Sequence, residues 1–267
     1  MNRIDPSQIT FNRVAAAVQR RIRDIPDWFF WNMPFFESRL SKSRLLTTAG
    51  SQSGKRCFVI GNGPSLAGMD LSPLENEITF GLNRIYLLFE KMNFLPTYYV
   101  CVNELVLEQF SSEIRQLKML KFINWNRRQF FDINDVSVIP VRVSLLDGFN
   151  ADPFRAFFGG GTVTYVALQI AYLMGFSEVI LIGLDHSFSD KGIPNKVEFR
   201  ISEQDTNHFH PNYFPKGVKW QLPDLKRSEL AYEIARRKFE NNGRRIIDAT
   251  VNGKCLVFEK KNYSTLF

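Results

Sequence analysis

The chain has 267 residues, 45% of them hydrophobic, which is enough for one large domain or two small ones with a substantial core. A charge or a glycine interrupts every apolar run within about ten residues, whereas a membrane-spanning helix needs roughly 18 to 20. The start of the chain also lacks the basic and apolar regions of a secretory signal. These features exclude a disordered chain and a membrane-spanning protein, and they predict a cytoplasmic location.

The net charge of +7 and the sequence pI near 9.3 would suit nucleic-acid binding, but the distribution of charge argues against it. In residues 1–55, nine basic side chains stand against four acidic ones, so most of the excess lies in the first fifth of the chain. The remainder is close to neutral. We therefore expect no nucleic-acid partner.

The N-terminal part of the sequence predicts a helical extension. Residues 11–23 combine arginines with apolar side chains, and an aromatic cluster follows at 28–36. This pairing suits peripheral contact with the inner face of a membrane through residues 11–36, or else an accessory helix whose aromatics pack on the domain. Residues 46–55 have the small, polar composition of a linker. We therefore predict an extension over 1–54 and a catalytic domain over 55–267.

Beyond the linker, apolar runs alternate with amphipathic stretches. The predicted strands are 57–61, 78–82, 98–102, 121–125, 136–143, 179–183 and 245–248, and the predicted helices are 85–92, 105–117, 163–174 and 226–241. Because crossover helices join parallel strands, this alternation predicts a Rossmann-like α/β domain, with a mostly parallel sheet and helices on both faces. Residues 189–223 are polar and aperiodic, which is typical of a lid or binding loop.

The first predicted strand ends in a turn that contains Gly61, Asn62, Gly63 and Ser65. Glycines at this spacing let the backbone turn tightly and approach a ligand with no Cβ in the way. In parallel sheets, ligands bind beyond the carboxyl ends of the strands, where this turn lies. The third glycine of a dinucleotide fingerprint is missing, and no P-loop lysine follows. The turn is therefore a candidate nucleotide site or a purely structural turn.

Two further predicted strands end in Asn83 and Asn103. An amide offers an acceptor and two donors without charge, which suits sugar hydroxyls or a pyrimidine edge. The alternative is that each asparagine starts a turn or caps a helix. Three strand ends that close on asparagine at one rim favour a binding role.

A second glycine run, with Gly160, Gly161, Thr162 and Thr164, precedes the predicted helix at 163–174. Free N–H groups and the positive end of the helix dipole attract phosphate at such a position, and the threonine hydroxyls would add donors. The same residues could serve only as a helix cap.

The three histidines of the chain, His186, His208 and His210, fall within 25 residues. His186 follows Asp185 at a strand end, and the other two lie in the predicted lid. Near neutral pH, histidine can take a proton from a hydroxyl or give one to a leaving group. The alternatives are imidazoles that only bond loop carbonyls and a metal site, which the spacing does not favour.

Over about residues 56–210 these motifs resemble the bacterial sialyltransferases of glycosyltransferase family 42. The likeness rests on Gly-Asn-Gly-Pro-Ser-Leu after the first strand, on asparagine at the next two strand ends, and on Asp-Thr-Asn-His in the lid. The resemblance implies that Asn62, Asn83 and Asn103 hold a cytidine monophosphate sugar and that His208 is the general base. The family's phosphate-binding tyrosines are not found after Asp185, where His-Ser-Phe stands, so the identity of the donor stays open.

The sequence at 160–172, 183–188 and 207–214 resembles the broader MptE-like family, domain of unknown function 115, whose members include glycosyltransferase-like proteins and an archaeal pterin diphosphokinase. A diphosphokinase would need carboxylates to hold Mg²⁺ on ATP. The strand before the second helix ends in Asn103, a poor Mg²⁺ ligand. A non-catalytic scaffold of the same fold is a third interpretation.

We therefore expect a glycosyltransferase that moves a sugar, such as sialic or another nonulosonic acid, from a CMP-activated donor to a glycan or lipid-linked acceptor. The predicted catalytic residues are His208, His186 and Asp185. No obligatory cofactor and no metal ligand are predicted, and Mg²⁺ is expected only for the diphosphokinase alternative. The sequence leaves oligomerisation open.

Overall fold

The computed structural model describes residues 11–190 and 192–267, apart from the side chains of residues 11–17 and Arg20. Residues 1–10, part of the predicted extension, and Lys191, in the predicted lid, lie outside the described residues. The chain divides into two compact units, Met1–Leu40 and Ser41–Phe267. This division falls ahead of the boundary that the sequence predicts after residue 54.

The helices and strands follow the predicted alternation. The α-helices are α1 (Phe11–Asn32), α2 (Phe36–Thr48), α3 (Glu104–Gln116), α4 (Val163–Met174) and α5 (Leu225–Glu240). The strands are β1 (Arg56–Ile60), β2 (Thr79–Leu82), β3 (Tyr98–Cys101), β4 (Leu120–Asn124), β5 (Val138–Val141), β6 (Val143–Ser144), β7 (Phe157–Phe158), β8 (Glu178–Ile182), β9 (Val197–Phe199), β10 (Lys219–Gln221), β11 (Arg245–Asp248) and β12 (Glu259–Lys260).

Eight strands form one sheet in the order β12-β11-β8-β1-β2-β3-β4-β5, and every neighbouring pair is parallel. The predicted Rossmann-like α/β fold is confirmed. The chain builds the sheet from β1 outward to β5 and later returns to the other side of β1 with β8. The order therefore reverses between β1 and β8, which is the topological switch point where open α/β sheets bind ligands.

Burial on both faces explains why the central strands are continuous apolar runs. On one face, Phe58 and Ile60 of β1 belong to the same core as Val106 and Phe110 of α3. Over the other face lies α4, in which ten of the twelve residues are buried because it also packs against α5. The helices thus hold the carboxyl ends of β1 and β8 in fixed positions.

Three local predictions were wrong. The predicted α-helix at 85–92 is a 3₁₀ helix, Ile85–Lys91, in a short connector of the kind where 3₁₀ turns are common. The lid at 189–223 is not without structure, because β9 and β10 pair in it as an antiparallel ribbon. The first residues of the predicted linker belong to α2, which continues to Thr48.

In the N-terminal unit, α1 runs through Pro26, so the basic stretch and the start of the aromatic cluster form a single helix. Trp28, Phe29 and Phe30 are exposed, and the rings of Phe29 and Phe30 contact that of Phe35. Among the described residues, no helix is long and apolar enough to cross a membrane. Peripheral contact of residues 11–36 with a membrane stays a prediction.

Candidate active site

The glycine turn after β1 lies against the end of β8 at the switch point. The amide N–H of Gly63 donates to the carbonyl of Gly183 at 2.9 Å. Ser65 is bound to Asp185 twice, because its N–H donates to one carboxylate oxygen at 3.0 Å and its hydroxyl to the other at 2.7 Å. Four of the predicted site residues, Gly61, Gly63, Ser65 and Asp185, thus form one rigid double turn.

Close packing between the ends of β1 and β8 explains why glycine occupies these positions. A Cβ on Gly61 would lie 2.4 Å from the carbonyl oxygen of Gly183, and one on Gly63 would lie 1.7 Å from a carboxylate oxygen of Asp185. Gly183 itself has a φ of +67°, which disfavours side chains. Each glycine is therefore required by its neighbour, whether or not a ligand also approaches the turn.

We expect Gly61→Ala to destabilise the fold by about 1–3 kcal/mol, because the β8 backbone must move to admit the methyl group. Gly68, in the same connector, is the matched control, since a Cβ at this position would have no atom within 4 Å. Gly68→Ala should change stability by no more than about 0.5 kcal/mol. Urea unfolding of both variants measures the difference, and equal midpoints would show that the packing is loose.

The side chain of Asp185 is mostly occupied with holding the turn. Burial raises the pKa of this carboxyl, although the two hydrogen bonds from Ser65 oppose that shift. Both of its oxygens already accept hydrogen bonds. The predicted catalytic role of Asp185 stays untested, whereas its hydrogen bonds with Ser65 give it a structural role.

Two amide oxygens at the rim lack partners. The Oδ1 atoms of Asn62 and Asn83 are buried, and neither has a hydrogen-bond partner among the described residues. Asn83 also holds a left-handed backbone, with a φ of +46°, and its carbonyl accepts the hydroxyl of the buried Tyr99. Because buried polar atoms nearly always have partners, two orphaned acceptors at the same rim make it a candidate position for a donor-bearing ligand.

Asn103 behaves differently. Its side-chain oxygen accepts from the N–H groups of Leu105 and Val106, which makes it the N-cap of α3. Only its amide nitrogen could face a ligand. Asn124, which the sequence did not predict as a site residue, ends β4 in the same way, but its amide is engaged with Val102 and Asn126 inside the protein.

We predict that Asn83→Gly lowers nucleotide affinity up to about tenfold, the value of one hydrogen bond, because it removes the orphaned acceptor and tolerates the left-handed backbone. The control is Asn103→Ser, which keeps a good N-cap. Calorimetric titration of both variants with the same nucleotide tests the ranking. A larger loss in Asn103→Ser would reverse the assignment.

The start of α4 has the predicted glycines in left-handed conformations, with φ of +56° at Gly160 and +78° at Gly161. The Thr162 hydroxyl caps the helix by accepting from the Thr164 N–H at 3.3 Å. The hydroxyl of Tyr232 on α5 lies 3.4 Å from that same oxygen. The N–H groups of Thr162, Thr164 and Tyr165 also donate within the protein, so the feature that suits phosphate here is the positive end of the helix dipole.

His208 forms a hydrogen-bonded pair with a buried carboxylate to which the sequence alone assigned no role. Its Nδ1 lies 2.8 Å from Oδ2 of Asp205, whose side chain is 1% exposed. Burial disfavours ionisation of Asp205, but its hydrogen bonds with His208 and with the Asn207 N–H leave its pKa below the ordinary value. The ring of His208 stacks on Tyr213 at 3.9 Å. The pairing holds the imidazole rigid, with Nδ1 engaged and Nε2 available.

The lid is attached to the ends of β1 and β2. The Phe209 N–H donates to the carbonyl of Asn62 at 3.1 Å, which brings His208 next to the glycine turn. The guanidinium of Arg84 donates to the carbonyls of Asn212 and Tyr213 and lies 3.7 Å above the ring of Phe110. The sequence analysis did not predict Arg84 as a site residue. An arginine directly after a strand end was the one sequence feature that could have indicated its contact with the lid.

The other two histidines have different partners. The Nδ1 atom of His210 accepts the N–H of Asn212 at 3.1 Å, so its ring holds the lid backbone. Nε2 of His186 lies 3.0 Å from a carboxylate oxygen of Glu229 on α5. Among the described residues, no three His, Cys, Asp or Glu side chains gather as a metal site.

The fold is that of a Rossmann-like α/β protein, with a candidate polar site at its topological switch point. Residues 29–191 match the family model described as 6-hydroxymethylpterin diphosphokinase MptE-like, which covers more than half of the chain. The chain therefore belongs to the MptE-like family.

Among solved structures, the chain is similar to that of the MAf glycosyltransferase from Magnetospirillum magneticum AMB-1, with a TM-score of 0.51 and 13% sequence identity. The alignment covers 95% of this chain and 42% of that one, so the chain spans less than half the length of this neighbour. At this identity, the similarity shows the fold. A search of curated protein sequences found no match.

Proposed function

We propose that the protein is a glycosyltransferase that uses a nucleotide-activated sugar. The observation that carries the proposal is the Asp205–His208 pair, which lies beside the glycine turn and the orphaned amide oxygens of Asn62 and Asn83. Sugar transfer to a hydroxyl acceptor needs two things: a polar site that binds the nucleotide and an oriented imidazole that takes the hydroxyl proton. The glycosyltransferase fold of the structural neighbour supports this choice.

In this mechanism, His208 acts as general base. Because Asp205 accepts from Nδ1–H, the neutral imidazole has its lone pair on Nε2, where it can accept the proton of the acceptor hydroxyl. The acceptor oxygen then bonds to the anomeric carbon, and the bond from that carbon to the phosphate oxygen breaks. The nucleotide leaves with the bonding electron pair, and the helix dipole of α4 favours its negative charge.

For the finer identity of the substrates, we propose a CMP-activated nonulosonic acid as donor and a glycan or lipid-linked sugar as acceptor. The support is the Gly-Asn-Gly-Pro-Ser-Leu turn with its following asparagines, as in the sialyltransferases that the sequence resembles. Two acceptor oxygens at one rim suit a base edge or sugar that presents donors, such as the amino group of cytosine.

We expect CMP to raise the melting temperature of the protein without Mg²⁺, because the orphaned amide oxygens of Asn62 and Asn83 can accept hydrogen bonds from the nucleotide. A thermal-shift screen with CMP, CDP, UDP, GDP and ATP, each with and without Mg²⁺, measures this. Mg²⁺-dependent binding of ATP would instead support a pterin diphosphokinase, as the family description suggests. Binding of none would support a non-catalytic scaffold.

A further inference from the structure

His186 occupies a strained position shortly after the β8 end. Its φ of +54° lies in the left-handed region, which is uncommon for residues other than glycine, although asparagine, aspartate and histidine adopt it more often than most. Its side chain is only 6% exposed. Strain of this kind persists where the surrounding structure holds a residue in place, and it concentrates at functional sites.

The imidazole of His186 adjoins two predicted site features, the glycine turn, which is a candidate nucleotide site, and the α4 N-terminus, which is suited to phosphate. On one side, the preceding Asp185 is bound to Ser65 of the glycine turn. On the other, the His186 ring lies 6.2 Å from that of Tyr232, whose hydroxyl is 3.4 Å from Thr162 at the start of α4. The same position therefore adjoins both the glycine turn and the α4 N-terminus.

Glu229 orients this imidazole. An ionised carboxylate can only accept hydrogen bonds, so the 3.0 Å contact requires that Nε2 of His186 carries the proton. Nδ1 is then the ring atom left for a ligand, and it donates when the imidazole is charged. The arrangement is the converse of His208, where the carboxylate holds Nδ1 and leaves Nε2. The β8 loop connects the two, since the ring of Phe188 lies 6.0 Å from the His208 ring.

We propose that His186, positioned by Glu229, binds the phosphate group of the donor nucleotide. The inference rests on the proposed function, since it names the residue that contacts the leaving group. In its charged form, with Nε2–H bonded to Glu229, His186 donates a hydrogen bond from Nδ1 to a phosphate oxygen and transfers no proton. His208 alone takes the proton of the acceptor, so the two histidines have separate roles.

The test compares nucleosides with their monophosphates. Cytidine, CMP, guanosine, GMP, adenosine and AMP are titrated calorimetrically into wild type, His186→Asn and Glu229→Gln. Asparagine is chosen because it tolerates the left-handed backbone and cannot carry charge. The matched control is Glu233→Gln, one turn further along α5, where the carboxylate pairs only at the surface with Arg237.

For whichever nucleotide binds wild type, His186→Asn should lose about 10- to 100-fold in monophosphate affinity, the value of a hydrogen bond to a charged group, with nucleoside affinity unchanged. Glu229→Gln should lose part of this monophosphate affinity, and Glu233→Gln should lose none.

Equal losses of affinity for nucleoside and monophosphate in His186→Asn, or no loss, would overturn the inference and leave the proposed function standing. If wild type binds a purine monophosphate and no CMP, the proposed donor is wrong, and the His186 comparison is still decided with that nucleotide. If none of these monophosphates binds wild type, the His186 inference and the proposed CMP donor are both overturned.

Discussion

Replacing His208 with alanine is expected to lower kcat by about 10²- to 10⁴-fold, the usual cost of removing a positioned general base. Donor affinity should stay nearly unchanged, because Asn62 and Asn83 rather than His208 face the nucleotide in the proposed complex. In wild type, the rate should also fall at acidic pH, since only neutral imidazole accepts a proton. Steady-state kinetics with CMP-activated sialic acid as donor, over a range of pH, measures both effects.

The control for this variant is His210→Ala. His210 lies two residues away in the same lid, but its ring accepts the Asn212 N–H and holds the backbone of the turn. His210→Ala should therefore lower kcat much less than His208→Ala does, and any decrease in kcat should be accompanied by lower thermal stability. If the His208→Ala enzyme keeps most of its turnover, or loses donor binding alone, His208 is not the general base. His186 would then be the next candidate for that role.

The central sheet could be predicted because its strands are buried on both faces. A strand such as β8 has to be apolar almost throughout, so the pattern that predicts it comes directly from its position between two layers of helices. The ribbon of β9 and β10 has no such pattern. Val197, Glu198 and Phe199 of β9 alternate in polarity, but all three are exposed, and an alternation this short is a much weaker signal than a buried apolar run.

The site was only partly predictable for a different reason. The sequence locates Asn83 and Asn103 at strand ends alike, but only the structure separates an orphaned acceptor from a helix cap. Likewise, His208 and His210 are equivalent in an extended chain. The choice between them depends on Asp205, which lies three residues before His208 and reaches it because the lid turns there.

Arg84 shows that residue type alone does not predict burial. A charged residue after a strand end is normally expected to be exposed, yet this arginine is 6% exposed because two lid carbonyls and three aromatic rings surround its guanidinium. One of those carbonyls, of Asn212, is 128 positions away in sequence. No local pattern can report such a contact, although it fixes the lid over the site.

Asp205→Asn is expected to lower kcat by about 10²-fold or more while the fold and donor affinity persist. The reason is the second hydrogen bond of this carboxylate, since Oδ1 accepts from the Asn207 N–H at 2.9 Å. An asparagine would keep its oxygen there and turn its amide N–H₂ toward His208, so Nδ1 would have to accept. The ring proton would then lie on Nε2, the atom required to take the proton of the acceptor.

Kinetics of Asp205→Asn should therefore resemble those of His208→Ala, although the imidazole is still present. Glu203→Gln is the matched control, because this carboxylate lies in the same lid and pairs with Lys216 at the surface, where an ion pair contributes little. Near-normal kcat in Asp205→Asn, with circular dichroism and nucleotide affinity unchanged, would show that the pair serves the structure of the lid alone. A loss of turnover at constant affinity identifies Asp205 as the residue that selects the tautomer of the base.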